Sequence, residues 1–462
     1  KVKETSIEQI MSMSFDRVIS NPTLMFRKVV VGINCNVDLI VKGTDLIKQL
    51  GVLPNQPDLN DECVTLKSLT DLQKSFLHFF TNGIPGEKYM DNEELFKKIV
   101  SISEKNDMNS DVYIGGNAAL MAQKIASTFS RVTPHLVGPI GPRIQKLLHP
   151  MIVRDNSTRI VKDELHVIME YKQGEMLENY MSPASSRFIT SQDQLSGSRI
   201  VIEMFFKAIQ QYKPDLVIIA GLHVLEPQSK DIRREKMILI KQGLYQLPPE
   251  LPLHLELSTI SDLDFARHIL KDIIPRVDSL TLSERCLNML AKAVKGPSVD
   301  YPSSARILHV HKAVEMLHWL MQNYGHRKDK GGKDMKRRLT RIHFHCSTYH
   351  MIVSTGTDWS NLASGLAAGA RVAGRYTCGM RKRDTNYDLL EVRFSSSYLL
   401  DEKYDKVYTF DPANPIASWM RDDIVFMFTP VLVCKFAART VGAEDSISAT
   451  ALIHSQFYAV SK

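Results

Sequence analysis

The feature that most narrows the choice of fold is a rhythm in the second half of the chain. Short apolar runs, PDLVIIAGLH at 214–223, LPLHLELST at 251–259, the short strand that opens VDSLTLSERCLNML at 277–290, RIHFHCS at 341–347 and VLVCKF at 431–436, are interleaved with helical stretches such as DFARHILKDIIPRV. A strand that is apolar at every position has no solvated face, so it belongs in a sheet covered on both sides. Helices between such strands make the sheet mostly parallel and the expected fold class α/β. Sheets of this kind bind ligands beyond the carboxyl ends of their strands. The polar residues of AGLH and HLELS fall at those ends.

The first half reads less regularly. KVVVGINCNVDLIVKG at 28–43 starts as a buried strand and continues into Asn, Asn and Asp. Residues 92–105 and 140–148 read as helices. DVYIGGNAALMAQKIA at 111–126 reads as a strand, a double glycine and a helix. RIVKDELHVIMEYKQGE at 159–175 alternates like a pair of strands exposed on one side, and a helix is expected around 198–211. Residues 1–25 are polar and mildly helical, which suggests an arm, and 323–338 (NYGHRKDKGGKDMKRR) reads as a solvated loop. A chain of 462 residues holds two to four domains, or one large domain with an attachment.

Composition removes several function classes. A net charge of +7 is a mild excess over this length. It suits a small anionic ligand better than a nucleic acid, for which no zinc-finger spacing, stacking-aromatic pattern or long basic tail is present. No apolar run reaches the roughly 18 residues that would cross a membrane. The six cysteines are far apart and form no CxxC, so their spacing decides neither redox compartment nor pairing. Asn156-Ser157-Thr158 is a glycosylation acceptor pattern that matters only in a secretory chain.

Neither GxxxxGK[ST] nor a GxGxxG after the first strand is found, which argues against P-loop and dinucleotide sites. TVGAEDSIS at 440–448 offers another anion site. Gly442 would end a strand and Asp445 would open a helix whose free N–H groups favour phosphate, with the acid placed to take a proton. The plainer alternative is that Asp445 and Ser446 only cap that helix. In HLELS, His254 and Glu256 point the same way at a strand end, where an acid can hold Mg2+ beside phosphate oxygens or simply satisfy its neighbour. Gly115 and Gly116 permit close approach of backbone to a ligand or to another element. Asp38 can receive sugar hydroxyls, and Arg187 can clamp phosphate.

Taken in order, GINCNVD, GGNAALMAQ, DELHVIMEY, ASSRFI, AGLHVLE, HLELS, RIHFH and TVGAEDSIS resemble the ADP-dependent glucokinases of animals, over roughly 28–460. The resemblance implies a ribokinase-like three-layer core with a central, mostly parallel sheet, plus a smaller sheet-rich lid drawn from about 39–75 and 159–195, with residues 1–27 as an arm. It implies transfer of the β-phosphoryl group of ADP to the 6-hydroxyl of glucose, giving glucose 6-phosphate and AMP, with the lid excluding water. By matching motif, Asp445 is the general base in the turn of Gly442. Asp38, Gly115, Gly116 and Asn117 line the sugar pocket. Glu256 and Asp445 belong to the Mg2+ shell, and Arg187, His343, Val441 and Glu444 border phosphate or nucleotide. The resemblance further implies a location in the endoplasmic reticulum lumen or outside the cell, and a monomer with no obligate protein partner.

Two motifs depart from the family pattern. Its Gly-x-Gly-Asp turn is here Gly442-Ala443-Glu444-Asp445, and its Asn-x-x-Glu element is here Ser283-Glu284-Arg285-Cys286. A Cβ and a carboxylate now stand where a glycine N–H served the anion, and a metal-facing acid is gone. Loss of one such donor costs about 10²–10³ in rate. The alternative expectation is therefore a relative that binds sugar or nucleotide with impaired or no turnover.

Overall fold

Alternate residues of the strand Leu216–Ala220 enter two different apolar cores, although all are buried. Val217 and Ile219 join Val30, Phe205, Leu253 and Leu287, whereas Leu216, Ile218 and Ala220 join Val29, Val31, Ala122 and Leu452. That two-residue period places helices on both faces of one sheet, the three-layer arrangement the sequence implies. The structure, a computed structural model, describes residues 5–21, 25–51, 64–154, 158–300, 307–326, 337–380, 385–393, 395–439 and 441–459. Asn156 and most of the basic segment 323–338 lie outside the described residues.

The chain opens with helix α1 (Ile7–Val18) and strand β1 (Lys28–Ile33). It then leaves for a second sheet through β2 (Asn36–Lys42), β3 (Gly86–Met90) and β4 (Asp111–Gly115). Helix α2 (Asn117–Thr128) returns it to the side of β1. A second excursion, β5 (Leu165–Tyr171) and β6 (Ser186–Ser191), completes the smaller sheet. The large sheet is then extended by β7 (Leu216–Ala220), β8 (Leu253–Glu256), β9 (Ser279–Ser283) and β10 (Arg341–His345). Helix α3 (Glu284–Ala293) follows β9, and α4 (Leu362–Thr377) and α5 (Ala443–His454) close the fold.

The ten-stranded sheet runs Ala417–Arg421, Ile424–Pro430, Tyr349–Thr355, β10, β9, β8, β7, β1, Thr133–Val137, Val153–Arg154. Pairs from β10 through Val153–Arg154 are parallel, and those from β10 outward on the other side are antiparallel. The six-stranded smaller sheet runs Thr65–Leu66, β3, β6, β5, β2, β4. Val41, Val167, Met169 and Phe188 pack against its own helices with Leu46, Phe76 and Ile99. The interleaved positions leave Asp38, Glu87, His166 and Arg187 on the other face.

Four expectations change. Residues 159–175 hold one strand, β5, rather than an exposed pair; β2 and β6 flank it, and helices cover it. The VLVCKF strand, Leu432–Cys434, pairs with Leu390–Val392 outside the large sheet, whose edge is supplied by Ala417–Arg421 beside Ile424–Pro430. The smaller sheet also takes β3 and β4, which fall outside the two segments expected for it. The N-terminal stretch is no loose arm over α1: Met11 and Phe15 are fully buried in a cluster with Ala367 and Ala370 of α4, and Asp16 pairs with Arg371. Its amphipathic period buries one stripe where α4 offers only small side chains. Phe15→Ala is accordingly expected to lower unfolding free energy by about 3–5 kcal/mol, read from denaturant titration.

Candidate active site

The site is built where the two sheets join. β1 ends at Ile33, and Asn34 and Cys35 carry the chain into β2, so the joint lies at the carboxyl end of β1. Asn34 Oδ1 accepts the Ala118 N–H at 3.0 Å at the head of α2, and its Nδ2 lies 3.4 Å from Asn117 Oδ1. Asn117 Nδ2 donates in turn to Asp445 Oδ1 at 2.8 Å. One amide chain thus connects the end of β1, the start of α2 and the first turn of α5.

The double glycine is required by this closeness. Gly115 pairs with Asn36, and a Cβ on it would lie 1.9 Å from Asp38 Oδ1 and 2.3 Å from Asn36 Nδ2. Gly116 has φ +85°, and a Cβ there would meet the Asn34 carbonyl oxygen and Asn36 Oδ1 at 2.9 Å. Asn36 Nδ2 donates to Asp38 Oδ1 at 2.7 Å. Burial is the main cause that pushes the Asp38 carboxyl up to about 7, with His166 and Asn36 opposing it.

Asp445 is buried and likewise pushed up to about 7, by burial first, against its bond from Asn117, with the Glu444 charge adding to the rise. It is not a helix cap. The cap of α5 is Gly442, at φ 80° with no side-chain cap bond, and Asp445 sits three residues further on and turns to Asn117. Nor does Gly442 end a strand. Leu432–Cys434 stops well before it, held by the Cys378–Cys434 disulfide to the end of α4, and a loop intervenes. Val441 lines a cavity of about 340 Å³ with Asp38, Tyr113, Lys124, Tyr376 and Arg439.

Glu256 ends β8, 3% exposed, and its Oε2 accepts the hydroxyl of Ser448 on α5. His254 Nε2 lies 3.4 Å from the same oxygen, and His254 Nδ1 lies 2.9 Å from Ser279 Oγ. Burial, then Asp445, push the Glu256 carboxyl well above its usual range, and Glu444 adds to it. Glu444 itself is exposed rather than packed on Asp445. Cys286 is buried and directs its thiol to the Ser258 carbonyl at 3.2 Å, so the altered Ser283-to-Cys286 element is internally satisfied.

Arg187, on β6, lies within electrostatic reach of both Asp38 and Asp445. His343 does not border a cleft. It is fully buried in β10 beneath α4, where a Cβ on Gly369 would stand 3.5 Å from its Cε1, and burial depresses its pKa. A central strand covered by a helix hides all of its residues; His345, two positions on, is also buried but is influenced by Glu444.

Several site residues carry no motif. Glu87 of β3 lies 3.6 Å from His223 Nε2 and 4.0 Å from His166 Nδ1, and His166 Nε2 lies 2.8 Å from Asp193. These histidines outweigh burial and hold the Glu87 carboxyl down at about 2. Against the cost of burying its charge, Asp193 first, then Glu87 and Asp38, push His166 up to about 10. Arg439 stacks on Tyr113 at 4.4 Å and on Tyr376 at 5.6 Å, bridging β4 and α4. Period-two alternation in GEKYM and DELHVIMEY was the one available signal for Glu87 and His166.

The raised Asp445 carboxyl has a stability consequence. Its folded value lies above the ordinary one, so the folded protein binds more protons between about 4 and 7 and loses stability as pH rises through that window. Asp445→Asn is expected to raise the thermal midpoint of the ligand-free protein at pH 8 and to leave it nearly unchanged at pH 4.

Residues 27–454 match the family described as the ADP-specific phosphofructokinase/glucokinase conserved region. The chain is 51% identical over 466 residues to a probable ADP-dependent glucokinase of Caenorhabditis elegans, covering 100% of this chain and 92% of that one. It is 32% identical to the ADP-dependent glucokinase of Bos taurus, over 98% and 89% of the two chains. An ADP-dependent kinase solved with fructose-6-phosphate and ADPβS superposes with a TM-score of 0.68 over 98% of each chain, at 14% identity, and so shares the fold. With two relatives this similar over nearly their whole length and a family match across almost all of the described core, the chain belongs to the ADP-specific phosphofructokinase/glucokinase family.

Proposed function

We propose that the protein transfers the β-phosphoryl group of ADP to the 6-hydroxyl of D-glucose, giving glucose 6-phosphate and AMP. The observation that carries this reading is the buried Asp445, in the first turn of α5, poised near neutral pH and faced across the cleft by Arg187. The relatives named ADP-dependent glucokinase support the choice of donor and acceptor.

In this reading the glucose 6-hydroxyl gives its proton to Asp445 as its oxygen bonds the β-phosphorus, and the bond from that phosphorus to the bridging oxygen breaks to release AMP. Asn117 holds the acid in place, the open N–H groups at the head of α5 receive phosphate charge, and Arg187 adds a cation. Asp38, Glu87 and His166 form a charged, desolvated wall suited to sugar hydroxyls, and the smaller sheet above them excludes water.

Mg2+ fits the donor set. Asp445 and Glu444 raise the cost of ionising Glu256, and Glu444 that of ionising Asp445, which suits a cation that arrives with phosphate. Among the described residues no cluster of three or more His, Cys, Asp or Glu could hold a metal alone, in keeping with an ion held by one or two carboxylates, phosphate and water. Glu256, with Asp445 beside it, would hold the ion. When bound it would neutralise phosphate charge.

The disulfide between Cys378 and Cys434 supports an oxidising location, the endoplasmic reticulum lumen or outside the cell. We read the protein as a monomer without nucleic-acid or obligate protein partners. A second reading, a binder with impaired turnover, rests on Glu444 and on Cys286 in place of an acid.

AMP formation from ADP and Mg2+, with and without glucose, separates the two. Glucose-dependent AMP that falls by about 10²–10⁴ in Asp445→Asn is the expected result. Absence of AMP from protein that still binds glucose or ADP would establish the second reading. Because the base works only when ionised, kcat/KM should climb with pH through about 7 and level off above it.

A further inference from the structure

Arg285 takes no part in the chemistry just described, yet it lies where the two sheets and the catalytic turn meet. It is the second residue of α3, just past the carboxyl end of β9. Its Nη1 donates to the Pro85 carbonyl oxygen at 2.7 Å, on the smaller sheet one residue before β3. The adjacent carbonyl, Ile84, accepts the Tyr171 hydroxyl of β5 at 2.8 Å, so the guanidinium grips a part of the smaller sheet that is itself anchored. Two residues beyond Pro85 stands Glu87, in the wall beside Asp38.

On the other side stands Glu444. Ser448, one helical turn further along α5, reaches Glu256 at the end of β8 and Thr281 within β9. Residues four apart share a helix face. Glu444 therefore projects from that same face beyond the strand ends, where α3 begins. Its charge bears on Glu284, Arg285 and Cys286, while among the described residues it makes no ion pair with Arg285. A carboxylate in the turn that receives a diphosphate repels it, and a nearby fixed guanidinium reduces that repulsion.

We propose that Arg285 is a positioning residue: its guanidinium offsets the Glu444 carboxylate where the donor's phosphates are received, and it ties that turn to the smaller sheet through Pro85. The proposal depends on the reading above for the identity of the donor. It also explains how a Glu-for-Gly change in the turn is tolerated, through a compensating charge at a position with no catalytic contact of its own.

The test is ADP titration by calorimetry into the full chain, alongside steady-state AMP formation, for wild type, Arg285→Gln, Glu444→Gln and the double variant. Arg285→Gln should weaken ADP binding by about ten- to a hundredfold. In the Glu444→Gln background the same change should cost several-fold less, and Arg285→Lys should recover most of the affinity. Equal losses in both backgrounds, or ADP binding unchanged in Arg285→Gln, would overturn the proposal. Should Arg285→Gln not fold, Glu444→Gln alone reads the pair: ADP should bind more tightly, and unchanged or weaker binding would refute it. Wild type that binds ADP and yields no AMP would sink the reaction while the titrations still read the coupling.

Discussion

A carboxylate held out of water is the constraint around which the rest of this protein is arranged. Asp445 sits 4% exposed in a helix turn, and its ionisation is opposed by burial and by the acid next to it. Such a group stays useful only if its surroundings are rigid enough to hold it and polar enough to keep its ionised form accessible. The amide of Asn117 supplies the hydrogen bond, Asn34 fixes Asn117, and Asn34 is fixed by the head of α2. The wide apolar sheet below gives that chain of amides a floor, because α5 is buried along its length between α2 and α4.

The two sheets divide the electrostatic work. The smaller one contributes a mixed wall in which acids and bases are interleaved, so that Glu87 is held ionised by His223 and His166, and His166 is held charged by Asp193 and Glu87. The larger one contributes carboxylates whose ionisation is costly, Glu256 and Asp445. A neutral polyol suits the first environment and a cation-accompanied polyanion the second. The cleft between them has a direction built into it before any ligand enters.

The α/β class and most individual elements were legible because buried parallel strands carry their own signature: apolar at every position and short. The strands that were misplaced or misread lack it. Leu432–Cys434 is apolar enough to pass for a sheet strand, but its partner is Leu390–Val392, and pairing of distant segments leaves no trace in either. β5 alternates because one face meets helices and the other a charged cleft, which imitates solvent exposure. In the site, Asp445, Asn117, Gly115 and Asp38 stand in short patterns that chemistry makes readable, whereas Glu87, His166 and Arg439 are single polar residues in ordinary surroundings. Only the fold brings them opposite one another. His343 shows the reverse error: a motif residue on the right strand, packed beneath α4 rather than facing a cleft.

The smaller sheet is assembled from two separate departures of the chain, each returning to the large one. It can therefore be neither cut away nor exchanged as a unit, since no single linker holds it. The first departure and return pass through Asn34 and Gly115, which are also the residues that orient Asn117 and make room for Asp38. Heritable variation at this joint thus faces a double selection. A substitution that alters how the sheets sit together also alters the surroundings of Asp38 and Asn117, so the chemistry of the cleft and the geometry of the joint are free to drift only together.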